Sequence, residues 1–163
     1  MFTPSWLVND MLDLVKPETE KIETTFLEPS CGTGNFLIEI LRRKLLAVKD
    51  NWDVIRAVSS VYGIDIAKDN VDEAKARLLV LIRDMQPAIS SAEPVVKRLL
   101  AQNIVVGDFI NGAENIVFYQ YDLREAGKIK QYPFILADLL DGAQRDIFMP
   151  SAKTSHVGCI PCT

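Results

Sequence analysis

Three carboxylates and one glycine-rich turn carry the chemistry that can be read directly from this chain. Glu28 opens the run Glu28-Pro29-Ser30-Cys31-Gly32-Thr33-Gly34-Asn35, Asp65 follows an apolar stretch at 58–64, and Asp108 follows Gly107 just after Ile104–Val106. Gly32 and Gly34 lack side chains, so a ligand can press against the backbone of the turn and meet the free amide groups that open the next helix. A dinucleotide fingerprint would need a third glycine where Leu37 stands, and a carboxylate at the mouth of the loop repels a pyrophosphate. The loop therefore suits a cation.

S-adenosylmethionine carries an ammonium and a sulfonium at its methionine end, and both are stabilised by a nearby carboxylate such as Glu28. Asp65 suits the two hydroxyls of a ribose, as an acid does at this place in nucleotide folds, with Ile66 pressed on the adenine face. Asp108 can accept from the adenine amino group while Phe109 supplies an apolar or stacking wall. Acids at strand-to-helix junctions also serve as plain helix N-caps, and that reading stands beside the functional one for each of the three. Cys31 fills the loop with a small side chain, and nothing near it in sequence activates a thiol.

The elements that must position these groups follow from periodicity. Trp6, Leu7, Met11, Leu12, Leu14 and Val15 recur at helical spacing, closed by Pro17, and a β-prone run at 24–27 leads into the loop. Phe36, Leu37, Ile40, Leu41, Leu45 and Leu46 mark one face of the helix after it. A second unit has a strand at 58–64, Asp69 as N-cap, and a helix whose apolar positions are Val71, Ala74, Leu78, Leu81, Ile82 and Met85. The stretch 86–95, with Pro87 and Pro94, reads as a linker, followed by a helical turn or two at 95–101. Strands are expected at Ile104–Val106, 117–121 and 132–137, the last two joined by a charged stretch holding Gly127. Strands separated by helices predict a parallel sheet with helices on its faces and a ligand beyond the carboxyl ends of the strands, where all three acids fall. The basic run 42–44 reads as a solvated helix flank. Tyr119 and Tyr121 share a strand face, with packing as the ordinary role and base stacking as the alternative.

Composition sets limits on what these parts can do. The 163 residues suit one domain, and a net charge of -4 is opposite in sign to that of a domain gripping a phosphate backbone by itself. Any grip on nucleic acid must come largely from elsewhere. No apolar run nears the ~20 residues of a membrane span, and no secretory leader pattern opens the chain, so a cytoplasmic protein with no membrane partner is expected. His156 is the single histidine, which sets aside a Ser-His-Asp hydrolase and a His-rich metal centre. His156, Cys159 and Cys162 stand together without a fourth ligand, and no metal is expected.

The block Phe26-Leu27-Glu28-Pro29-Ser30-Cys31-Gly32-Thr33-Gly34-Asn35-Phe36-Leu37 closely resembles the cofactor-binding motif of S-adenosylmethionine-dependent DNA adenine-N6 methyltransferases, where an acid, a proline and a G-x-G-x-F element occur together. Phe2-Thr3-Pro4 followed by a helix resembles the segment that, in members carrying it upstream of the loop, closes over the methionine end of the cofactor. Tyr62-Gly63-Ile64-Asp65-Ile66 and Gly107-Asp108-Phe109 resemble the next two motifs. Over about residues 1–110 the resemblance implies an α/β, Rossmann-like S-adenosylmethionine-dependent methyltransferase fold. The implied cofactor site comprises Phe2, Thr3, Pro4, Glu28, Pro29, Ser30, Cys31, Gly32, Gly34, Asn35, Phe36, Asp65, Ile66, Asp108 and Phe109. The implied organisation is a cofactor-closing segment at 1–20, an α/β domain at 21–140 and an irregular tail at 141–163. The 37 residues from Glu28 to Asp65 exceed the ~20 of a minimal strand-helix-strand unit, which implies an extra helix around 51–58.

Members of that family hold the target amino group with Asn or Asp, two prolines and an aromatic at the end of the fourth strand. Here the candidate strand Phe134-Ile135-Leu136-Ala137 runs into Asp138-Leu139-Leu140-Asp141. Asp138 is the one candidate for the first position, while the prolines and the aromatic are missing. Too little chain follows for the remaining strands, so an incomplete or truncated sheet is expected, as in a fragment, a chain cut short or shifted in frame, or a cofactor-binding remnant. The first functional expectation is the cofactor-binding part of a DNA adenine-N6 methyltransferase from a restriction-modification or phage-borne system, with DNA as substrate. The second is a non-catalytic S-adenosylmethionine-binding subunit whose partner chain or missing C-terminal part carries the catalytic motif and target recognition. The third is a methyltransferase for a protein glutamine or a small molecule. An incomplete sheet exposes an apolar edge, so self-association is expected, visible in light scattering as species larger than the monomer.

Overall fold

A computed structural model of the chain describes residues 3–141 and the backbone of 159–161. Its elements run α1 (Ser5–Asp13), α2 (Lys16–Thr19), β1 (Phe26–Glu28), α3 (Asn35–Leu45), α4 (Asn51–Ser59), β2 (Val61–Asp65), α5 (Lys68–Met85), a 3-10 turn (Pro87–Ser91) and α6 (Glu93–Asn103). They continue through β3 (Ile104–Val106), a second 3-10 turn (Ala113–Asn115), β4 (Val117–Asp122), β5 (Lys128–Ile135), α7 (Leu136–Asp141) and β6 (Cys159–Pro161). The first three strands form a parallel sheet in the order β1-β2-β3, with Glu28 beside Gly63 and Asp65 beside Val106. β2 is central and buried along its whole length. The extra helix expected in the long gap is α4, which takes residues 58–59, so β2 starts only at Val61.

Alternation along β2 divides the core in two. Val61 and the apolar stripes of α1, α3, α4, α5 and α6 form one cluster, to which Val8 and Leu12 of α1 belong, so α1 shares the core of the rest. Tyr62 and Ile64, pointing the other way, join Leu27, Val105, Ile116, Phe118 and Leu136 in a second cluster. Helices were expected on both faces; the second face is instead covered by β4 and β5, an antiparallel pair that places Phe118 edge-on to Tyr62 with ring centroids 5.1 Å apart. Tyr62 Oη also donates to the carbonyl of Tyr119 at 2.6 Å. Among the described residues the architecture is mixed α/β with a small parallel sheet, and no helix among them is long and apolar enough to cross a membrane.

Several local expectations change. Asp69 is not the N-cap of α5: the cap is Ala67, and Asp69 lies in the first turn. The expected linker at 86–95 is a 3-10 turn followed by an 11-residue helix, because proline is tolerated in a first helical turn, where its missing N–H would be unpaired anyway. The strand expected at 132–137 begins earlier, at Lys128, and ends at Ile135, with Leu136 opening α7. The tail expected to be irregular contains β6, paired antiparallel with β5. Tyr121 is packed rather than free to stack, its hydroxyl donating to Asn103 Oδ1 at 2.7 Å, and burial pushes its pKa upward.

The basic run on α3 departs furthest from expectation. Arg42 is solvated, but Arg43 and Lys44 are buried. Arg43 bridges Glu39 at 2.9 Å and Asp13 at 2.8 Å, tying α1 to α3. Lys44 Nζ donates to the carbonyls of Lys21 (2.9 Å), Ile22 (2.9 Å) and Thr24 (2.6 Å), immediately before β1. Burial pulls its pKa down to about 8, so at neutral pH it still carries the three hydrogens that these carbonyls accept. Replacing Lys44 with Met keeps the buried stem but removes the donor to the carbonyls of Lys21 and Thr24, while that of Ile22 keeps only the Ser60 hydroxyl. The expected loss is about 2–4 kcal/mol of stability, read from urea midpoints, and an unchanged midpoint would refute the assignment.

Candidate functional site

The parallel register brings the end of β1, the loop after it and the start of α3 to one edge of the sheet. The loop can lie flat against β2 because Gly63 has no side chain: a Cβ there would meet Leu37 Cδ1 at 2.7 Å and Cys31 Sγ at 3.2 Å. Cys31 N–H then donates to the Ile64 carbonyl at 2.8 Å, extending the sheet's hydrogen bonding into the loop. Gly34, at φ 88°, occupies the left-handed conformation at the N-cap of α3, and a Cβ would stand 3.1 Å from that of Ala74 on α5.

Thr3, Glu28, Ser30, Cys31, Thr33, Asn35 and Phe36 line a cleft of about 120 Å³ at this edge. Glu28 is half-buried there, and desolvation, outweighing the Ser30 N–H bond that lowers it, holds its carboxyl above the ordinary range. Cys31 is buried, and its thiol is pushed up to about 12 by burial and by the negative charges of Asp65 and Glu28, so it is no nucleophile at neutral pH. Pockets for drug-sized ligands run to roughly 300–1,000 Å³, so this cleft takes an amino-acid-sized fragment and leaves the remainder of a larger ligand on the open surface.

Asp65 is buried, and its carboxylate is largely committed to the protein. Oδ2 accepts from Gly32 N–H at 2.9 Å; Oδ1 accepts from Ala67 N–H at 2.9 Å and from the Asn70 side-chain amide at 3.0 Å. A carboxylate offers about four lone-pair positions, which leaves room for one further donor where two ribose hydroxyls were expected. Burial raises its pKa, but the bonds from Ala67, Asn70 and Gly32 outweigh it and hold the carboxyl below the usual aspartate value. Asp108 closes its own turn, accepting from Ile110 N–H (2.9 Å), Asn111 N–H (3.0 Å) and the Asn111 amide (3.0 Å). No helix starts here, so Asp108 is not the helix N-cap expected as its plain role; it closes a turn between β3 and the second 3-10 turn.

The remaining expected site residues fall in different places. Phe2 lies outside the described residues. Pro4 starts α1 and is exposed, as is Pro29. Ile66 is 73% exposed at the end of the central strand, and Phe109 is half-buried against the second core cluster. Asp138 is exposed in the first turn of α7, not at the end of a parallel strand, because β5 ends three residues earlier and runs antiparallel to β4. Among the described residues no group of His, Cys, Asp or Glu is arranged to hold a metal ion; His156, Cys162 and the side chain of Cys159 lie outside them.

Sequence reasoning missed Asn70 and Arg77. Arg77 Nη1 donates to the Thr33 carbonyl at 2.7 Å, Thr33 Oγ1 at 3.0 Å and Asn35 Oδ1 at 3.0 Å, and Asn35 Nδ2 in turn donates to the Thr3 carbonyl at 2.9 Å. The available signal was the spacing of Asn70, Ala74 and Arg77, which puts two polar side chains on the helical stripe whose small residue meets the glycine loop.

No protein-family model matches the chain, and no solved structure matches it. It is similar to "Type II methyltransferase M.VspI" of Vibrio sp. (strain 343), 31% identical over 77 residues, which are 47% of this chain and 16% of that protein. The chain therefore spans about a sixth of the relative's length, and the likeness is a methyltransferase relationship.

Asp65→Asn puts an amide nitrogen where one of the three donors now finds an oxygen. The expected cost at pH 7 is about 1–3 kcal/mol, the penalty for an unpaired buried N–H. Because the folded carboxyl sits below its ordinary value, its contribution is complete above that value and is lost as pH falls through the folded one. The stability gap between the two proteins in urea unfolding should therefore narrow below about pH 4; a gap independent of pH would count against the carboxylate's role.

Proposed function

We propose that the chain is the cofactor-binding portion of a DNA adenine-N6 methyltransferase, holding S-adenosyl-L-methionine at the carboxyl edge of the parallel sheet. The observation that carries this reading is the half-buried Glu28 carboxylate in a cleft sized for an amino acid, beside Thr3, Thr33 and Asn35. An ammonium placed there gains a charge-assisted hydrogen bond in a site partly screened from water, whereas a phosphate would meet repulsion. The donor set fits the methionine end of the cofactor. The remaining lone pair of Asp65 suits a ribose hydroxyl, and exposed Ile66 suits an adenine face. When bound, the cofactor supplies an electrophilic methyl group on its sulfonium; this chain's residues bind and orient it. The methyltransferase relative supports methyl transfer, and the motif resemblance around Glu28 supports adenine in DNA as the acceptor.

The position of Asp138 on α7 favours a second reading. In it the chain is a non-catalytic S-adenosylmethionine-binding subunit, and a partner chain supplies the groups that hold the flipped base.

Calorimetric titration with S-adenosylmethionine should show one site, and Glu28→Gln should weaken it about tenfold or more, the equivalent of one charge-assisted bond. Since burial raises the Glu28 carboxyl, affinity should fall as pH descends through that raised value, and the variant should lose this dependence. No binding, or equal binding of ATP, would overturn the proposal. Methyl transfer to adenine-containing DNA by the chain alone should be absent under both readings, and its presence would overturn the account of Asp138; an Asn-Pro-Pro-aromatic element encoded past residue 163 in any frame would select the first reading, and its absence the second.

A further inference from the structure

The groups that shape the cleft are held from one helix outside it. Asn70, Ala74 and Arg77 lie on a single stripe of α5, spaced four and three residues apart. Asn70 grips Asp65, which grips Gly32; Ala74 meets Gly34; Arg77 grips Thr33 and Asn35. The last connection reaches further, because Asn35 passes it to the Thr3 carbonyl and so to the segment leading into α1. Thr3, Thr33 and Asn35 all line the cleft. Arg77 therefore bonds to two lining residues and, through one of them, to the third.

The acceptors on Arg77 are a carbonyl, a hydroxyl and an amide oxygen. None is a carboxylate, so these bonds fix geometry and form no ion pair. All three are reached from one nitrogen, Nη1, whose two hydrogens are shared among them in the plane that the rigid guanidinium fixes; an ammonium is a point charge on a more flexible stem and lacks that fixed plane. We propose that Arg77 is a positioning residue: through Thr33 and Asn35 it holds the glycine loop and the Thr3 segment in the shape that accepts the amino-acid end of the cofactor. This rests on the proposed cofactor reading, whereas the clamp itself can be tested without any ligand.

Two measurements on the full chain separate the clamp from the cofactor. In ligand-free protein, Arg77→Met should speed backbone hydrogen exchange about tenfold at 30–36 and at 3–9, while 93–103 on α6 stays as it was. In calorimetry, the same variant should lose about tenfold in affinity for S-adenosylmethionine but less than about threefold for methylthioadenosine, which lacks the amino-acid end. Arg77→Lys should fall between the two proteins. Arg83→Met, which lies on the same helix as Arg77 and breaks an ion pair to Glu93 of α6, should change neither readout. Equal losses for both ligands, or unchanged exchange in the loop, would overturn the proposal. If Arg77→Met does not fold, Arg77→Gln must show the same selective pattern; failure of both to fold would make Arg77 a residue of the fold and also overturn it. If the unaltered chain binds neither ligand, the cofactor reading falls, and the exchange data alone decide the clamp.

Discussion

The carboxylate of Asp65 is the fixed point of this edge of the molecule. A buried carboxylate must be hydrogen-bonded or lose its charge, and three N–H groups meet that demand here: one from the glycine loop, one from the turn into α5 and one from α5 itself. Meeting it ties three separate pieces of chain to the end of the central strand. β2 is buried throughout, so what is bound to its end inherits its rigidity, as a preorganised site requires. The division of labour among the acids follows. Asp65 is spent mainly on construction, Asp108 closes its own turn, and Glu28 is left facing the cleft with its charge least compensated.

The local parts of this arrangement are legible in the sequence. Gly32 and Gly34 announce a turn against which a ligand can press, Glu28 argues against phosphate, and the length of chain between Glu28 and Asp65 demands the helix found at Asn51–Ser59. Contacts between distant residues are not legible. Arg43 and Lys44 sit where helical periodicity marks a flank, yet their stems are buried and their donors reach Asp13 on α1 and the carbonyls before β1. Pro94 looks like an interruption because a proline inside a helix is one, but it stands in a first turn. The covering of the second sheet face by an antiparallel pair is a tertiary choice, since the alternation of β4 reveals an apolar side and not what it lies against.

The proposed reading also accounts for how a small cleft would serve a large ligand. In that reading the amino-acid end enters the cleft, while exposed Ile66 stands outside it beside the buried Asp65. In that proposal charge selects at the cleft end, where low polarizability of the surroundings strengthens it, and apolar contact serves the exposed end. The chain's overall negative charge agrees with this division, since it favours a small cation and gives nothing to a phosphate backbone.

Lys44 sits near the far end of α3 and grips the chain just ahead of β1, so strand, loop and helix form a ring closed without a covalent bond. A ring of this kind resists opening from either side, because pulling on the strand also pulls on the helix. The span from Thr24 to Lys44 is short, and the entropy of closing it is spent once, by the ammonium at its base, before the glycine turn at its tip is asked to hold any shape. A nick at that tip would leave both halves still clasped together.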